Sequence, residues 1–342
     1  MNDSPRLTVR AYAPGDETAI LSAFNEVFAR TDPDFVPRTM AEWRWLFGNH
    51  PYGQRIWLGW DADGHVIGQQ ASTPLRMRVD GEEMYWSHVV DSFADQRRSR
   101  GLKKPGVYAT TARAHSDNCG GEPPERDPIM FGFPVRAAWR IGKLYLDYEI
   151  ARSQDALAVP LDRVPPADAA ASAATEGVTT ERLLSLGPDV DALFEETAPH
   201  YRAIAVRDSV YLDWRYLAHP KHQYSIGAAR RANRLVGLAV YRHATFHGRN
   251  AGLICDWVVP PSDREATAAL HAWLADRARE DGATELFGIW PDTCPEWTTF
   301  QEMGFRVVPT DYFNVICRYT RRFDTRWLYW HWYYTLGDTD LC

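Results

Sequence analysis

A cluster of basic residues follows a strand-like segment and has the composition of an anion-binding turn. Five of the eight residues from Arg97 to Lys104 are basic, although the 342-residue chain has a net charge of −7. We expect a helix to begin after Gly101, and a helix N-terminus has unpaired N–H groups and partial positive charge. Gly101 lets the backbone approach a phosphate closely. The segment predicts a pyrophosphate site, and a solvated basic turn that binds nothing is the alternative.

Two titratable side chains lie on the strand-like segment that precedes this turn. Asp91 and His88 each carry a side chain that can act as a general base. The alternative for Asp91 is a hydrogen bond to nearby backbone or an ion pair with Arg97. The alternative for His88 is packing or solvation. We keep both residues as catalytic candidates.

Two tyrosines further along the chain offer phenolic protons. Tyr145 lies near the end of a predicted helix, whereas Tyr148 fits better as the aromatic residue of the following strand. Tyr145 is therefore the first candidate for a proton donor, and Tyr148 is the second. No metal site is expected, because His243 and His247 lie on a strand-like segment without a third ligand.

Hydrophobic periodicity and turn signals predict the elements that must position these residues. Hairpin turns are expected at Asp61–Gly64 and Asp80–Gly81. The stretch 162–178 is rich in proline and small residues, so we expect it to link two domains. The expected strands are 7–13, 55–60, 65–79, 82–93 and 129–133, and helices are expected to begin near residues 16, 40 and 101.

Three sequence segments recur in the same order on both sides of this linker. A tryptophan-rich segment followed by His-Pro, an apolar pair followed by glycine, and a Phe-Gly pair each occur twice. Three matches in one order favour two copies of one fold with loops of different length. The matched segments are 43–51 with 214–220, 66–68 with 235–237, and 131–134 with 287–291.

With these motifs the chain resembles a tandem pair of GCN5-related N-acetyltransferases (GNAT). In that family the fourth strand runs into an Arg/Gln-x-x-Gly-x-Gly/Ala turn, which Arg98 and Gly101 match and Lys103 does not. The resemblance implies an α/β (α+β) class with two GNAT folds, each a mixed, mostly antiparallel sheet flanked by helices. It implies an oxyanion-binding backbone N–H near Phe93. It also implies acetyl-CoA contacts from Phe93, Arg98, Ser99, Arg100, Gly101, Leu102 and Lys103.

The second copy keeps the fold motifs and lacks the chemical ones. Its fourth strand runs into Pro260 and Pro261, which have no N–H, and no glycine follows them. Ser262 or Asp263 is expected to cap an ordinary helix there. Phe300 stands where the family often has a tyrosine that protonates the thiolate. We expect a structural second domain, or one that forms a wall of the substrate cleft.

The predicted order is an N-terminal GNAT domain at 1–161, a linker at 162–178, a degenerate GNAT-like domain at 179–320 and an aromatic tail at 321–342. Because the tail is rich in tryptophan and tyrosine, it must dock on the protein. One possible role is packing between domains. The other is to cross to the first domain, where Asp338, Asp340 and the terminal carboxylate of Cys342 hold a cationic amine.

Charge and composition exclude several classes of protein. A net charge of −7 argues against a nucleic-acid binder. No stretch approaches the roughly 18 apolar residues of a membrane span. The polar N-terminus lacks the apolar core of a signal peptide, and the five widely spaced cysteines are expected to be reduced thiols. We therefore expect a cytoplasmic protein without membrane or nucleic-acid partners.

The predicted function is transfer of an acetyl group from acetyl-CoA to the amine of a small molecule. One alternative is a non-catalytic sensor or scaffold that binds acyl-CoA. The other is a peptidyltransferase that uses aminoacyl-tRNA, against which the net charge and the Arg98/Gly101 turn both argue. The identity of the amine, the acyl chain length and the oligomeric state are not predicted.

Overall fold

The computed structural model describes residues 7–99, 105–165 and 177–341, which form two compact units. The first unit consists of Met1–Arg76, Met84–Ala151 and Asn314–Thr325, and the second of Met77–Glu83, Arg152–Phe313 and Arg326–Cys342. Four predicted ligand residues and most of the predicted linker lie outside the described residues: Arg100, Gly101, Leu102, Lys103 and residues 166–176.

A mixed sheet with helices forms the first unit. Its strands follow the order β1-β2-β3-β4-β5-β15-β6, and β4 pairs with β5 in parallel. The elements are β1 Thr8–Ala11, α1 Glu17–Thr31, α2 Met40–Trp43, β2 Arg55–Trp60, β3 Val66–Val79, β4 Glu82–Ala94, α3 Val107–Cys119, β5 Ile129–Gly132, α4 Arg136–Tyr145 and β6 Glu149–Ser153, with β15 Phe313–Arg318 from the distant part of the chain.

The second unit has a sheet of the same kind, in the order β14-β7-β13-β12-β11-β10-β8. In it β12 and β13 are parallel, and β10, β11 and β12 pair antiparallel. Its elements are β7 Ala156–Pro160, β8 Val178–Leu183, α5 Pro188–Thr197, β9 Ala203–Ala205, α6 Ser209–Leu212, β10 Ser225–Arg231, β11 Arg234–Phe246, β12 Arg249–Val258, α7 Arg264–Glu280, β13 Glu285–Gly288, α8 Pro295–Glu302, β14 Arg306–Val308, α9 Thr325–His331 and β16 Trp332–Tyr333.

The predicted fold class is confirmed, since each unit has a mixed, mostly antiparallel sheet flanked by helices. The compact units have other boundaries than the predicted continuous domains, 1–161 and 179–320, because each unit contains several segments of the chain. Strand β7 pairs with β13 and β14 in the second unit, and Val315–Arg318 of β15 pair with β5 in the first. Pairing of strands that are distant in sequence depends on which backbone groups are free, which local sequence patterns do not reveal.

The internal repeat is visible in the local structure. In each unit a short helix, α2 or α6, continues directly into one π-helical turn, over Arg44–Gly48 and Asp213–Leu217. The helix is capped at its N-terminus in both copies, by Thr39 and by Asp208. After each turn the histidine of the His-Pro pair accepts a backbone N–H at Nδ1, at 3.1 Å in both units.

The repeated glycine of the third strand allows a helix to lie close to the sheet. A Cβ on Gly68 would clash with Cγ1 of Val107, the first residue of α3. In the second unit a Cβ on Gly237 would lie 3.0 Å from Cδ1 of Leu270 in α7. The apolar-apolar-glycine triplet therefore marks the same helix-on-strand contact in both units.

Among the described residues, no helix is both long and apolar enough to cross a membrane. Cys119, Cys255, Cys294 and Cys317 are free thiols, as expected.

The chain after Arg326 packs into the second unit around a buried guanidinium. Arg207 is fully buried, and its side chain donates to Asp256 at 2.7 Å and to Asp338. Burial lowers the pKa of Arg207, but the charges of Asp256 and Asp338 raise it well above its usual value, so the side chain stays charged. Thr335 completes the cluster with a backbone N–H that donates to Asp338 at 2.9 Å.

The prediction that Asp338 presents negative charge to a substrate amine is wrong. Only 4% of Asp338 is exposed, and residues Arg326–Cys342 belong to the second unit. The carboxylate instead neutralises a buried cation. Asp340 is exposed, and Cys342 lies outside the described residues.

Replacement of Asp338 tests this role. Asp338→Asn should lower the free energy of unfolding by about 3 kcal/mol, because Arg207 loses one of its two buried counterions. Urea denaturation followed by circular dichroism measures this change. Asp340→Asn removes the same charge at an exposed position and should change stability by less than about 0.5 kcal/mol. Equal effects of the two variants would contradict the structural role of Asp338.

Candidate functional site

Strand β4 is irregular near its end, where the predicted site begins. Asp91 has φ of 52°, in the left-handed region that residues with side chains seldom adopt. Val90 and Phe93 both pack in the same apolar cluster as α1. In a regular strand, residues three apart point to opposite faces. The unusual backbone of Asp91 therefore changes the direction of the strand between them.

The carboxylate of Asp91 forms an ion pair with Arg38, in the segment before α2. The Arg38 guanidinium lies 4.6 Å from the centre of the Phe24 ring, and Phe24 packs edge-on against Phe93. The backbone carbonyl of Asp91 accepts a hydrogen bond from Gln69 at 2.9 Å. Both polar groups of Asp91 therefore have partners, and the acidic one is held by Arg38 rather than by Arg97.

His88 lies at the pairing of β4 with β5. Its ring stacks on Phe131, with centroids 4.9 Å apart and planes 11° from parallel. The same two residues form a register pair of the parallel ladder, next to Ser87 and Met130. His88 is only partly buried, whereas Phe131 is buried. The structure thus places a half-buried imidazole, whose Nε2 atom is itself buried, where β4 and β5 meet.

The turn after β4 is organised by Asp95. Its carboxylate accepts the backbone N–H groups of Arg97 and Arg98, at 2.8 and 3.3 Å, and pairs with Arg30 at 2.9 Å. Burial raises the pKa of Asp95, but these hydrogen bonds outweigh it and the net pKa is lowered. The backbone carbonyl of Asp95 accepts the N–H of Ser99 at 3.0 Å. Asp95 is a structural acid that the sequence analysis missed.

Arg98, a predicted coenzyme A ligand, is directed toward the β2–β3 turn. Its guanidinium lies 3.2 Å from Nδ1 of His65 and 3.6 Å from Asp61. Asp61, Asp63 and His65 have ligand-type atoms within 4.8 Å of one another. Asp61 already accepts the backbone N–H groups of the other two residues, so hydrogen bonding within the turn accounts for the cluster.

Helix α3 begins later than predicted, at Val107 rather than directly after Gly101. The residue before it is Gly106, with φ of 87° and no side chain to cap the helix. In the second unit the equivalent helix α7 is capped by Asp263, which accepts the N–H of Ala266 at 3.0 Å. This confirms the predicted cap. The residue before α7 therefore places a carboxylate at the helix N-terminus, whereas the residue before α3 places no side chain there.

The two candidate tyrosines have different surroundings. The ring of Tyr148 packs on Gly142, and its hydroxyl lies 3.5 Å from that of Tyr108. Burial first, and then the neighbouring Tyr108, raise the pKa of Tyr148 well above its usual value. Tyr145 is half-buried at the end of α4, and its hydroxyl has no hydrogen-bond partner within the described ranges. Tyr145 is therefore the more available phenol.

A buried polar network in the first unit was not predicted. His115 lies 2.9 Å from Ser72, Ser72 donates to Ser87 at 3.2 Å, and Ser87 donates to Asp127 at 2.5 Å. Arg55 completes the network with a bond of 2.7 Å to Asp127. The first four of these residues are at most 1% exposed, so the network stabilises the interior and cannot reach a substrate. Two serines within apolar strands were the only sequence signal.

Comparison with solved structures shows that the chain has the GNAT fold. A probable N-acyltransferase from Enterococcus faecalis V583 has a TM-score of 0.63 at 12% identity, covering 92% of this chain and 73% of its own. A GCN5-related N-acetyltransferase from Anabaena variabilis has a TM-score of 0.62 at 12% identity, covering 91% and 72%. A tandem GNAT protein from the clavulanic acid biosynthesis pathway has a TM-score of 0.56 at 12% identity, covering 93% and 100%.

Neither a protein-family model nor a curated protein matches the sequence. At identities of 12% the likeness concerns the fold, and the chemistry must be argued from the residues of this chain.

Buried histidines give the first unit a pH-dependent stability. Burial, and second the charge of Arg55, lower the pKa of both His50 and His115 to about 3. The unfolded chain, with a histidine pKa of about 6.5, then binds more protons than the folded one below that pH. Each histidine should lower the free energy of unfolding by about 1.4 kcal/mol for each pH unit below about 6.5.

His115→Asn isolates this contribution, because it keeps a neutral polar side chain and removes the proton site. Between pH 6.5 and 5 the unfolding free energy of the variant should fall less steeply than that of the wild type, by about 1 kcal/mol per pH unit. Urea titrations at several pH values measure both slopes. Parallel slopes would show that His115 is not a buried neutral imidazole.

Proposed function

We propose that this protein is an N-acyltransferase that moves an acetyl group, or a similar acyl group, from acyl-CoA to the amine of a small molecule. The supporting observation is the likeness of more than nine-tenths of the chain to solved GCN5-related N-acetyltransferases. The first unit adds a helix N-terminus without a capping side chain, next in sequence to a cluster of basic residues.

We assign coenzyme A to the N-terminus of α3. The first N–H groups of a helix bind phosphate oxygens, and the helix dipole favours their negative charge. Glycine at position 106 leaves room at this end, and the basic segment 97–104 supplies positive charge. When coenzyme A binds, the Arg98 guanidinium would leave His65 and Asp61 and bind the phosphates. In the second unit Asp263 would repel a phosphate, so one coenzyme A per chain is expected.

Acyl transfer requires a neutral amine, and we propose His88 as the group that takes its proton. The Arg38 guanidinium stabilises the ionised form of Asp91 and so weakens it as a base. His88 carries an imidazole, whose ordinary pKa suits proton transfer near neutral pH. Asp91 and Arg38 would then act as positioning residues that hold the end of β4.

The remaining steps use the backbone near Phe93 and the phenol of Tyr145. The amine nitrogen bonds to the thioester carbon, and the carbonyl electron pair moves to oxygen, where a backbone N–H near Phe93 stabilises it. Collapse of this intermediate breaks the carbon–sulfur bond. The thiolate leaves with the electron pair and takes a proton from Tyr145, and the surplus proton left on the nitrogen passes to the tyrosinate, giving free coenzyme A and an amide.

Gly106→Asp tests the coenzyme A assignment by giving α3 the kind of cap that α7 has. Its carboxylate should occupy the first N–H groups and lower coenzyme A affinity at least tenfold, about 1.4 kcal/mol. Gly106→Ala is the matched control, because it strains the positive φ equally and adds no charge. Calorimetry gives affinity and stoichiometry. Two sites per chain, or equal affinities of the two variants, would refute the assignment.

Substitutions on β4 test the chemistry through release of free thiol. His88→Gln should lower kcat about a hundredfold and leave acetyl-CoA affinity unchanged, since general base catalysis contributes about that factor. Asp91→Asn should lower kcat less than tenfold, and the opposite order would make Asp91 the base. Tyr145→Phe should lower kcat more than Tyr148→Phe. Binding of acetyl-CoA without thiol release from a panel of amines would favour a sensor.

A further inference from the structure

A basic cavity of about 520 Å³ lies in the second unit. Its walls come from β8, from the segment that leads into β10, from the end of β11 and from the last turn of α7. The equivalent of the coenzyme A end in this unit is Asp263, before the first turn of α7. At 1.5 Å per residue, Arg264 and Arg277 are about 20 Å apart along that helix.

The lining of this cavity is strongly cationic. It includes four permanently charged cations and two histidines against a single carboxylate, that of Asp281. The whole chain has a net charge of −7, so the local sign is reversed. A concave, positively charged surface concentrates anions. The basic lining residues are Arg182, Lys221, His222, Arg242, His243 and Arg277.

Two of these cations are not neutralised by acidic neighbours. Arg277 pairs with Glu280 at 2.7 Å and with Asp281 at 3.6 Å, and a cation in the last turn of a helix is also favoured by the helix dipole. Arg182 and Arg242, in contrast, have no acidic group within 4 Å in the described part of the chain. Arg242 instead faces the ring of Tyr224, 5.9 Å from its centre.

A buried hydroxyl adds a hydrogen-bond donor to the cavity. Tyr241 lines it and is 2% exposed, and its hydroxyl lies beside the Asp281 carboxylate, the single acidic group of the lining. Burial, and second the charge of Asp281, raise its pKa, so the phenol stays protonated and able to donate.

We propose that this cavity binds a small molecule that carries a phosphate group. Guanidinium groups bind phosphate oxygens in pairs, and the free charge of Arg182 and Arg242 matches a doubly charged group better than a carboxylate. The volume lies within the range of small-molecule pockets. This site is independent of the proposed acyl transfer.

Inorganic pyrophosphate serves as the probe, and its binding is measured by calorimetry. The full chain is first saturated with coenzyme A, so that pyrophosphate binding at the coenzyme A site is not counted. The wild type should bind one pyrophosphate per chain. Arg182→Gln/Arg242→Gln should weaken this binding at least tenfold. The matched control is Arg306→Gln/Arg326→Gln, which removes the same charge from exposed residues outside the cavity and should change affinity less than twofold.

Three results would overturn the proposal: no binding at millimolar pyrophosphate, equal effects of the two double variants, or displacement of pyrophosphate by acetate at equal ionic strength. The cavity variant should keep the coenzyme A affinity and thiol release of the wild type. If coenzyme A does not bind at all, the proposed acyl transfer fails. The comparison of the two double variants with pyrophosphate alone still decides the cavity.

Discussion

Close contact of a helix with a glycine in the sheet is the constraint on which the candidate site depends. Gly68 lets α3 lie against β3 at its first residue, Val107, and Gly237 lets α7 pack on β11 through Leu270. A Cβ at Gly68 would force the start of α3 away from the sheet, whereas one at Gly237 would require a small shift of the Leu270 side chain. With the helices held alike, the residue before each one decides what its N–H groups can bind. Gly106 offers no side chain to these N–H groups, whereas the Asp263 carboxylate accepts one of them.

The second unit depends on a different interaction, the burial of Arg207. A charge without solvent must be matched, and the two carboxylates that match it come from β12 and from the end of the chain. Tyr216 donates to the same Asp256 at 3.0 Å, so the repeated tryptophan-rich segment joins this cluster. The aromatic tail is thus held in register by polar contacts as well as by its buried rings.

Local sequence patterns predicted most helices and strands. The features that they did not predict depend on contacts between residues that are distant in sequence. Strand β2 and the turns beside β3 follow from apolar residues and hairpin sequences that act over a few positions. The left-handed Asp91 and its pairing with Arg38 depend on residues more than fifty positions apart. Composition indicated the basic segment, whereas the uncapped start of α3 at Gly106 and the role of Asp95 depend on backbone geometry that composition does not encode.

The equivalent helices α3 and α7 have four ends between them. The side chains around each end decide whether it can bind an anion. At the start of α7 the Asp263 carboxylate accepts a backbone N–H of the helix, whereas no side chain caps the start of α3. At the other end of α7 the helix dipole disfavours anions, so positive side chains from three further segments are needed to reverse the sign. Fold likeness at 12% identity therefore leaves the chemistry of each end to be derived from its residues.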